Sequence, residues 1–278
     1  MAAPTQTPHS SATTSGDEEV AAMAETATAI VNKPAWVDLS STDAAAAREF
    51  YGNLFGWDIE VNADPQYGGY GMARIGGKDA AGISPTQSPE QPSAWNVYIG
   101  TDDIEALTKR VSDAGDTVAM APFDVGDQGR MAVFQDPTGA FISAWQTSRM
   151  GGFQTEGSNA FGWADLNARG VERALPFYER VFGWKLKPSG TPVQPYTEFE
   201  LDGPSFAGAA EMNPMVPESM PNYWMVYFTV DDVDGAHRKA TGLGGRELAA
   251  PFDFPGGRMS IVTDPQGAAF GLMSLGES

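Results

Sequence analysis

Residues 50–57 carry the sequence FYGNLFGW, and residues 177–184 repeat the pattern as FYERVFGW, 127 positions later. Both stretches place apolar side chains at helical spacing and end in Gly-Trp, which predicts a short amphipathic helix that stops at the glycine. The repeat extends outward from this pair, since WVDL at residues 36–39 returns as WADL at residues 163–166 with the same offset. Such a constant offset indicates an internal duplication.

The duplication continues toward the C-terminal end of the chain with nearly the same spacing. The further matching pairs are Asp102-Asp103 with Asp231-Asp232, APFD at 121–124 with APFD at 250–253, GRM at 129–131 with GRM at 257–259, and Asp136-Pro137 with Asp264-Pro265.

This pattern predicts two domains, at residues 34–148 and 159–276, joined by a Gly-rich and polar linker at residues 149–158. Residues 1–30 are mostly Ala, Thr, Ser, Pro and acids, with few large apolar side chains. A segment of that composition buries too little surface to offset the entropy of ordering it. We therefore expect a disordered N-terminal tail.

Composition excludes several classes of function. The formal net charge is −19, which disfavours nucleic acid as a partner because phosphate backbones are repelled. The chain has no cysteine, so disulfides and thiolate metal sites are excluded, and its only histidines are His9 and His237. No apolar run reaches the roughly 18 residues that a membrane span needs, and the start lacks the pattern of a secretory signal. We expect a cytoplasmic protein without a membrane partner.

Each half shows two helical patterns. The first helix of each half uses Ala47, Phe50, Tyr51 and Leu54, or Ala174, Phe177, Tyr178 and Val181. The second helix runs from Ile104 toward Gly115, and from Val233 toward Gly244 in the copy. A short strand precedes each helix and several strands follow it, so the sequence predicts an α+β protein made of four βαβββ units.

The Phe-Tyr…Phe-Gly-Trp, Asp-Asp and Asp-Pro-x-Gly motifs resemble those of the vicinal oxygen chelate family, which includes glyoxalases, bleomycin-resistance proteins and extradiol dioxygenases. The resemblance covers nearly the whole chain outside the tail. It implies tandem glyoxalase-like domains, in which pairs of βαβββ units form two incompletely closed eight-stranded barrels. It also implies that the two domains pack as an internal pseudo-dimer, in a chain that is itself a monomer or a homodimer.

The resemblance also indicates where metal-dependent members of the family hold their ion. The family ligands are a His in the first strand, a His or Glu in the fifth and a Glu in the eighth, and none of them is retained here. The corresponding residues are Trp36, Asn96 and Ser143 in the first half, and Trp163, Met225 and Gly271 in the second. We therefore expect no metal and no cofactor.

Alternation along the strands assigns one face to the core and the opposite face to the concave side of each barrel, here called the cup. The first cup is predicted to contain Trp36, Asp38, Asn96, Tyr98, Ser143 and Trp145, and the second cup Trp163, Asp165, Met225, Tyr227 and Met273. An aromatic wall with a few polar groups suits a flat organic ligand, although the same aromatics could simply fill a collapsed barrel. Smaller residues at 269 and 271, together with Glu211, favour the second cup as the functional one.

The polar candidates each allow two interpretations. Asp38 and Asp165 either accept hydrogen bonds from backbone N–H groups or act as desolvated acid–base groups, and Tyr98 and Tyr227 either pack or donate protons. Arg130 and Arg258 either lie on the surface or bind an anion in the cup. Glu211, which has no acidic counterpart in the first half, is either exposed or an additional acid.

Three functions remain open from the sequence. The first is a metal-independent protein that binds a small aromatic or polyketide-like molecule, for sequestration, transport or resistance. The second is a metal-free enzyme (an isomerase, lyase, hydrolase or cyclase) that uses Asp with Tyr or Glu as general acid and base. The third is a regulatory or structural module with collapsed cups.

Overall fold

A computed structural model of the protein describes residues 30–149 and 153–276. The expected disordered tail, apart from Ile30, and residues 150–152 of the linker lie outside the described residues.

The four βαβββ units predicted from the sequence are present. In the first half they comprise β1 (Pro34–Ser41), α1 (Ala44–Phe55), β2 (Asp58–Val61), β3 (Gly71–Ile75), β4 (Lys78–Pro85), β5 (Ala94–Gly100), α2 (Ile104–Asp113), β6 (Thr117–Val125), β7 (Gly129–Gln135) and β8 (Phe141–Thr147). In the second half they comprise β9 (Phe161–Ala168), α3 (Leu175–Phe182), β10 (Lys185–Thr191), β11 (Gln194–Glu200), β12 (Ser205–Glu211), β13 (Tyr223–Thr229), α4 (Val233–Gly242), β14 (Arg246–Phe254), β15 (Gly257–Thr263) and β16 (Ala269–Leu275). Short 3₁₀ turns at Pro65–Tyr67 and Val171–Arg173 complete the set of described helices.

Each half forms one eight-stranded mixed sheet, with the strand order β2-β3-β4-β1-β5-β8-β7-β6 and the equivalent order in the second half. The two units of a half meet where β1 pairs with β5, or β9 with β13, in antiparallel fashion. β2 and β6 lie at opposite ends of the first sheet, so the barrel is incompletely closed. This arrangement confirms the predicted α+β fold with tandem glyoxalase-like domains.

The repeated motifs have structural roles at the ends of elements. Gly56 and Gly183 end α1 and α3 in the left-handed conformation, with φ of 71° and 74°, where glycine carries no Cβ penalty. Asp103 and Asp232, the second residues of the Asp-Asp pairs, cap α2 and α4 by accepting a hydrogen bond from the backbone N–H of the third residue of each helix. The motifs that define the repeat therefore specify the fold.

The two halves share one continuous apolar core. Phe228 packs against Phe55 and Trp95 at ring-centroid distances of 5.1 and 5.0 Å, and Phe270 lies 5.4 Å from Tyr51. The core faces predicted from alternation point into this shared core, as the full burial of Val37, Leu39, Val226 and Leu272 shows. The cups therefore lie on the opposite faces of the two sheets.

Candidate functional site

The first cup is centred on Asp38, which is 6% exposed. Its Oδ2 accepts hydrogen bonds from the Tyr98 hydroxyl at 2.9 Å and the Tyr70 hydroxyl at 3.4 Å, and its Oδ1 accepts one from the Asn96 amide at 2.9 Å. Trp36 donates from Nε1 to the Tyr70 hydroxyl at 2.8 Å. These donors are side chains, so the interpretation of Asp38 as an acceptor for backbone N–H groups is wrong.

Burial dominates the electrostatics of this carboxyl group. It raises the pKa of Asp38 from 3.8 to about 6, although the hydrogen bonds from Asn96, Tyr98 and Tyr70 oppose the increase. Burial, together with the negative charge of Asp38, holds the pKa of Tyr98 and Tyr70 above the usual value for a phenol.

The second cup repeats this cluster around Asp165. Its Oδ1 accepts hydrogen bonds from Trp163 Nε1 at 2.8 Å and from the Tyr196 hydroxyl, and Tyr227 is a third side-chain donor to this carboxyl group. Trp163 Nε1 also lies 2.8 Å from the Tyr196 hydroxyl oxygen. Burial raises the pKa of Asp165, and the three donors oppose the increase. Within the described part of the chain, the donors to the Asp165 carboxyl group are likewise side chains and not backbone N–H groups.

Tyr70 and Tyr196 are site residues that the sequence analysis missed. Each hydroxyl passes over a glycine of the neighbouring strand, because a Cβ added at Gly82 or Gly208 would lie 1.8 Å from the hydroxyl oxygen of Tyr70 or Tyr196. Both tyrosines and both glycines are spaced by 126 residues, so the repeat itself carried a signal that could have identified them. The glycines are required there because any side chain would displace the tyrosine from its aspartate.

The first cup is closed. Trp36, Asp38, Tyr98 and Trp145 are all buried, and Trp145 lies over Gly129, where an added Cβ would come 2.7 Å from the indole. The Tyr67 hydroxyl donates to Asp127 at 3.0 Å. This contact joins the β2–β3 connection to the β6–β7 turn, which belong to opposite ends of the sheet, and so it spans the opening of the barrel.

The second cup is more open. Trp163 and Asp165 are half-buried, unlike Trp36 and Asp38, while Tyr196 is half-buried as Tyr70 is. Among the described residues, no hydrogen bond joins the β10–β11 hairpin to the β14–β15 turn. Its wall is an apolar cluster separate from the shared core, made of Met225, Tyr227 and Met273 with Trp163, Tyr223, Phe254, Met259 and Ile261.

The free volume expected at Gly271 is not present. A Cβ at this position would lie 2.0 Å from Tyr227 Cδ1, so the tyrosine ring occupies the space that a side chain would fill. The greater openness of the second cup comes from other differences. Met273 replaces Trp145, and the contact that spans the first cup has no described equivalent.

Three predicted site residues lie outside the cups. Glu211 is exposed, and its carboxylate accepts hydrogen bonds from the backbone N–H groups of Gly170 and Val171 at 2.8 to 3.0 Å, which anchors the turn before α3. Arg130 pairs with Glu105 and Asp124. Arg258 pairs with Asp234 and Asp253. The interpretations of Glu211 as an additional cup acid and of the two arginines as anion-binding residues are therefore corrected.

The other predicted residues lie together on the cup faces. Asn96 faces Asp38 across the β1–β5 pair, and Met225 faces Asp165 in the equivalent register. Ser143 lies opposite Tyr98, and Met273 is part of the apolar wall of the second cup. The structure thus brings together Asp with Tyr and Trp in both halves.

The side chains at the metal-ligand positions of the family are poor ligands for a transition metal. In the first cup they are an indole, an amide and a hydroxyl, and in the second an indole, a thioether and a glycine, which do not form a donor set for a divalent transition metal. No cluster of three or more His, Asp or Glu that could hold a metal ion occurs in the part of the chain that the structure describes. The residues present do not fit the metal of the family.

Comparison with known protein families shows to which family the chain belongs. A model described as the glyoxalase/bleomycin resistance protein/dioxygenase superfamily matches residues 33–143 and again residues 160–272. The chain belongs to this superfamily. The two matched segments coincide with the two sheets, so each half is one glyoxalase-like domain.

Relatives in sequence cover almost the whole chain. A Mycobacterium tuberculosis protein with the provisional name glyoxylase CFP32 is 40% identical over 249 residues, which span 86% of this chain and 94% of that protein. The anthracycline biosynthesis protein DnrV of Streptomyces peucetius is 38% identical over 261 residues, spanning 88% of this chain and 94% of that protein.

The fold is also found in solved structures. The Mn(II)-bound glyoxalase from Novosphingobium aromaticivorans superposes with a TM-score of 0.65 at 16% identity, over 89% of this chain and 83% of that chain. At this identity the likeness concerns the fold alone. Within the described residues, no helix combines the length and apolar character required to cross a membrane.

Proposed function

We propose that this glyoxalase-fold protein binds a small, flat aromatic or polyketide-like molecule in its second cup, without a metal ion. The observation that carries the proposal is the contrast between the two cups. Trp36 and Asp38 are buried in the first cup, whereas the equivalent Trp163 and Asp165 are half-buried beside an apolar wall in the second. A pocket with an apolar wall and a few fixed polar groups is typical of sites for small organic ligands.

The side chains of the second cup suit a planar ligand. Trp163, Tyr223 and Phe254 supply aromatic surface, and Met225 and Met273 supply flexible apolar surface that adapts to the shape of a ligand. Asp165 and Tyr196 add a hydrogen-bonding point at the edge of this surface. The aromatic residues give affinity, and the polar pair fixes the orientation.

The relatives support the ligand class. The name of DnrV places that protein in anthracycline biosynthesis, and anthracyclines are flat, polycyclic aromatic polyketides. We extend this chemistry to the second cup of the present protein as part of the proposal. Metal independence is proposed on the donor chemistry described above, since no position of the family ligand set carries a His or carboxylate.

A second candidate function is metal-free acid–base catalysis in the same cup. The hydrogen bond between Tyr196 and Asp165 favours it, because a desolvated carboxyl group next to a phenol can exchange protons with a bound ligand. Turnover that is lost in Tyr196→Phe while ligand affinity is kept would establish this function. Binding without turnover would establish the carrier or resistance type.

The binding proposal is tested with acridone, a flat, neutral, tricyclic probe. Titration should quench tryptophan emission of the wild-type protein in a saturable manner. Trp163→Ala should lower the affinity by about tenfold, since an aromatic contact contributes about 0.5–1.5 kcal/mol beyond the buried area. Thermal melting of each variant confirms that it is folded.

Trp36→Ala is the matched control, because Trp36 occupies the equivalent position in the closed first cup. It should leave the affinity for acridone within about twofold of wild type. Absence of saturable binding, or an equal loss in both variants, would contradict the second cup as the site.

A further inference from the structure

The charge environment of Asp165 carries information about the ligand. Its described contacts are all with neutral donors, namely Trp163, Tyr196 and Tyr227. Among the described residues, no lysine, arginine or histidine forms an ion pair with this carboxyl group. An ionised carboxylate that is partly removed from water and has no positive partner is costly, and a cation placed beside it recovers part of that cost.

Comparison with the first cup shows that Asp165 lacks an amide donor. Asp38 receives a hydrogen bond from the amide of Asn96, which lies opposite it on β5. At the equivalent position on β13, Met225 lies opposite Asp165 and has no N–H to donate. Trp163 and Tyr196 both donate to the same oxygen of Asp165, Oδ1. Asp165 and Asp38 thus each have three side-chain donors, but those of Asp165 are two phenols and an indole, so its carboxyl group is bordered by aromatic rings alone.

The surroundings of Asp165 suit a cation that is attached to an aromatic body. The indole of Trp163 and the phenols of Tyr196 and Tyr227 border the carboxyl group. Aromatic rings around a carboxylate are a recurrent environment for ammonium groups, because the ring quadrupole attracts positive charge. Arg258, the cation that the sequence assigned to this cup, is held instead by Asp234 and Asp253.

The net charge of the whole protein also favours a cationic ligand. A formal net charge of −19 raises the local concentration of cations and lowers that of anions around the protein. This long-range effect alone is not selective for a site, so a test must separate it from the local effect of Asp165.

We infer that the second cup selects a flat aromatic ligand that carries a protonated amine, and that Asp165 receives this amine against the rings of Trp163, Tyr196 and Tyr227. The inference rests on the proposed function, because it assigns a chemical class to the ligand of the same cup.

The test compares two probes of the same shape and different charge, the neutral acridone and 9-aminoacridine, which is protonated at neutral pH. The wild-type protein should bind 9-aminoacridine at least tenfold more tightly than acridone at physiological ionic strength. In Asp165→Asn this preference should fall to about twofold or less. Asp38→Asn makes the same change of net charge in the closed cup, and it should keep the tenfold preference.

A second variant keeps the test decisive if Asp165→Asn does not fold. Met225→Asn copies the first cup and should supply Asp165 with an amide donor like the one that Asn96 gives to Asp38. The preference for the cationic probe should then fall several-fold, while acridone binding persists. Equal affinity for the two probes, or an undiminished preference in folded Asp165→Asn or in Met225→Asn, would overturn the inference. If the inference fails but acridone still binds in a manner that depends on Trp163, the proposed function stands without the inference. If acridone does not bind at the second cup, the proposed function itself fails.

Discussion

The hydroxyl of Tyr178 lies 2.9 Å from Oδ2 of Asp136, across the boundary between the two halves of the chain. The reciprocal pair, Tyr51 and Asp264, is separated by 3.3 Å. The tyrosine of each Phe-Tyr motif thus reaches the aspartate of the Asp-Pro motif in the other half. Two of the motifs that define the family are therefore contacts between domains rather than site residues.

Removal of this contact should destabilise the protein. The Tyr178 hydroxyl donates to Asp136 and accepts from Trp224 Nε1 at 2.9 Å, so Tyr178→Phe leaves both buried groups short of a partner. We expect the free energy of unfolding to fall by about 1–3 kcal/mol in urea titrations. Tyr67→Phe, which removes the exposed bond to Asp127, is the control and should cost at most about 0.5 kcal/mol. Equal losses in the two variants would contradict a structural role for the interdomain contact.

The two halves should not be independent in solution. Phe55, Trp57 and Trp95 of the first half pack against Phe228 of the second, and this surface would be exposed in residues 34–148 alone. We expect that fragment to be poorly soluble or to self-associate in analytical ultracentrifugation. A stable, monodisperse monomer would show that the shared core is not needed for folding.

Stability should depend on pH through Asp38. The pKa of Asp38 is raised from 3.8 to about 6 in the folded protein, so the folded state binds this proton more tightly than the unfolded chain does. The resulting stabilisation of the folded state is about 3 kcal/mol. It is fully present below about pH 4 and is lost as the pH rises through about 6. Asp165 shifts in the same direction, so the wild type must be compared with Asp38→Asn.

The measurement is the difference in free energy of unfolding between the wild type and Asp38→Asn as a function of pH. Relative to the variant, the wild type should become less stable between about pH 4 and about pH 7. A difference that stays constant, or that grows in favour of the wild type as pH rises, would contradict a raised pKa at this position.

Metal removal should have no effect. Elemental analysis of dialysed protein should find well under about 0.1 equivalent of zinc, nickel, iron or manganese per chain, because the six family ligand positions carry Trp, Trp, Asn, Met, Ser and Gly. A chelator should change neither the melting temperature nor the affinity for acridone. About one metal ion per chain, or binding lost to the chelator, would refute metal independence.

The sequence predicted most of the fold because the duplication makes each motif visible twice. Phe50-Tyr51 and its copy fixed the helices, and alternation around Asp38 and Asp165 assigned both aspartates to the cups. The same duplication contained Tyr70 and Tyr196. However, the β2–β3 and β10–β11 connections that precede them differ in conformation, and alternation within a single strand does not show that these tyrosines face the aspartates. Their role became visible in the structure, through their hydrogen bonds to Asp38 and Asp165 and their close approach to Gly82 and Gly208.

Charged residues were the least predictable from sequence. Arg130 and Arg258 lie next to cup strands in the sequence, yet each is held by carboxylates from its own hairpin and from a neighbouring helix. Glu211 is the last residue of β12, and its carboxylate accepts hydrogen bonds from the backbone N–H groups of a turn about 40 residues earlier in the chain. Such partners depend on tertiary contacts that periodicity does not contain.

The central claim is that the second cup, and not the first, is the ligand site, and its most direct test is ¹⁹F NMR of protein labelled with 5-fluorotryptophan. The resonances of Trp163, Trp36 and Trp145 are assigned from Trp→Phe variants. On addition of acridone, the account predicts a saturable shift of the Trp163 resonance while those of Trp36 and Trp145 stay unchanged. Shifts at Trp36 or Trp145 as large as that at Trp163, or no shift at Trp163 at saturating probe, would contradict it.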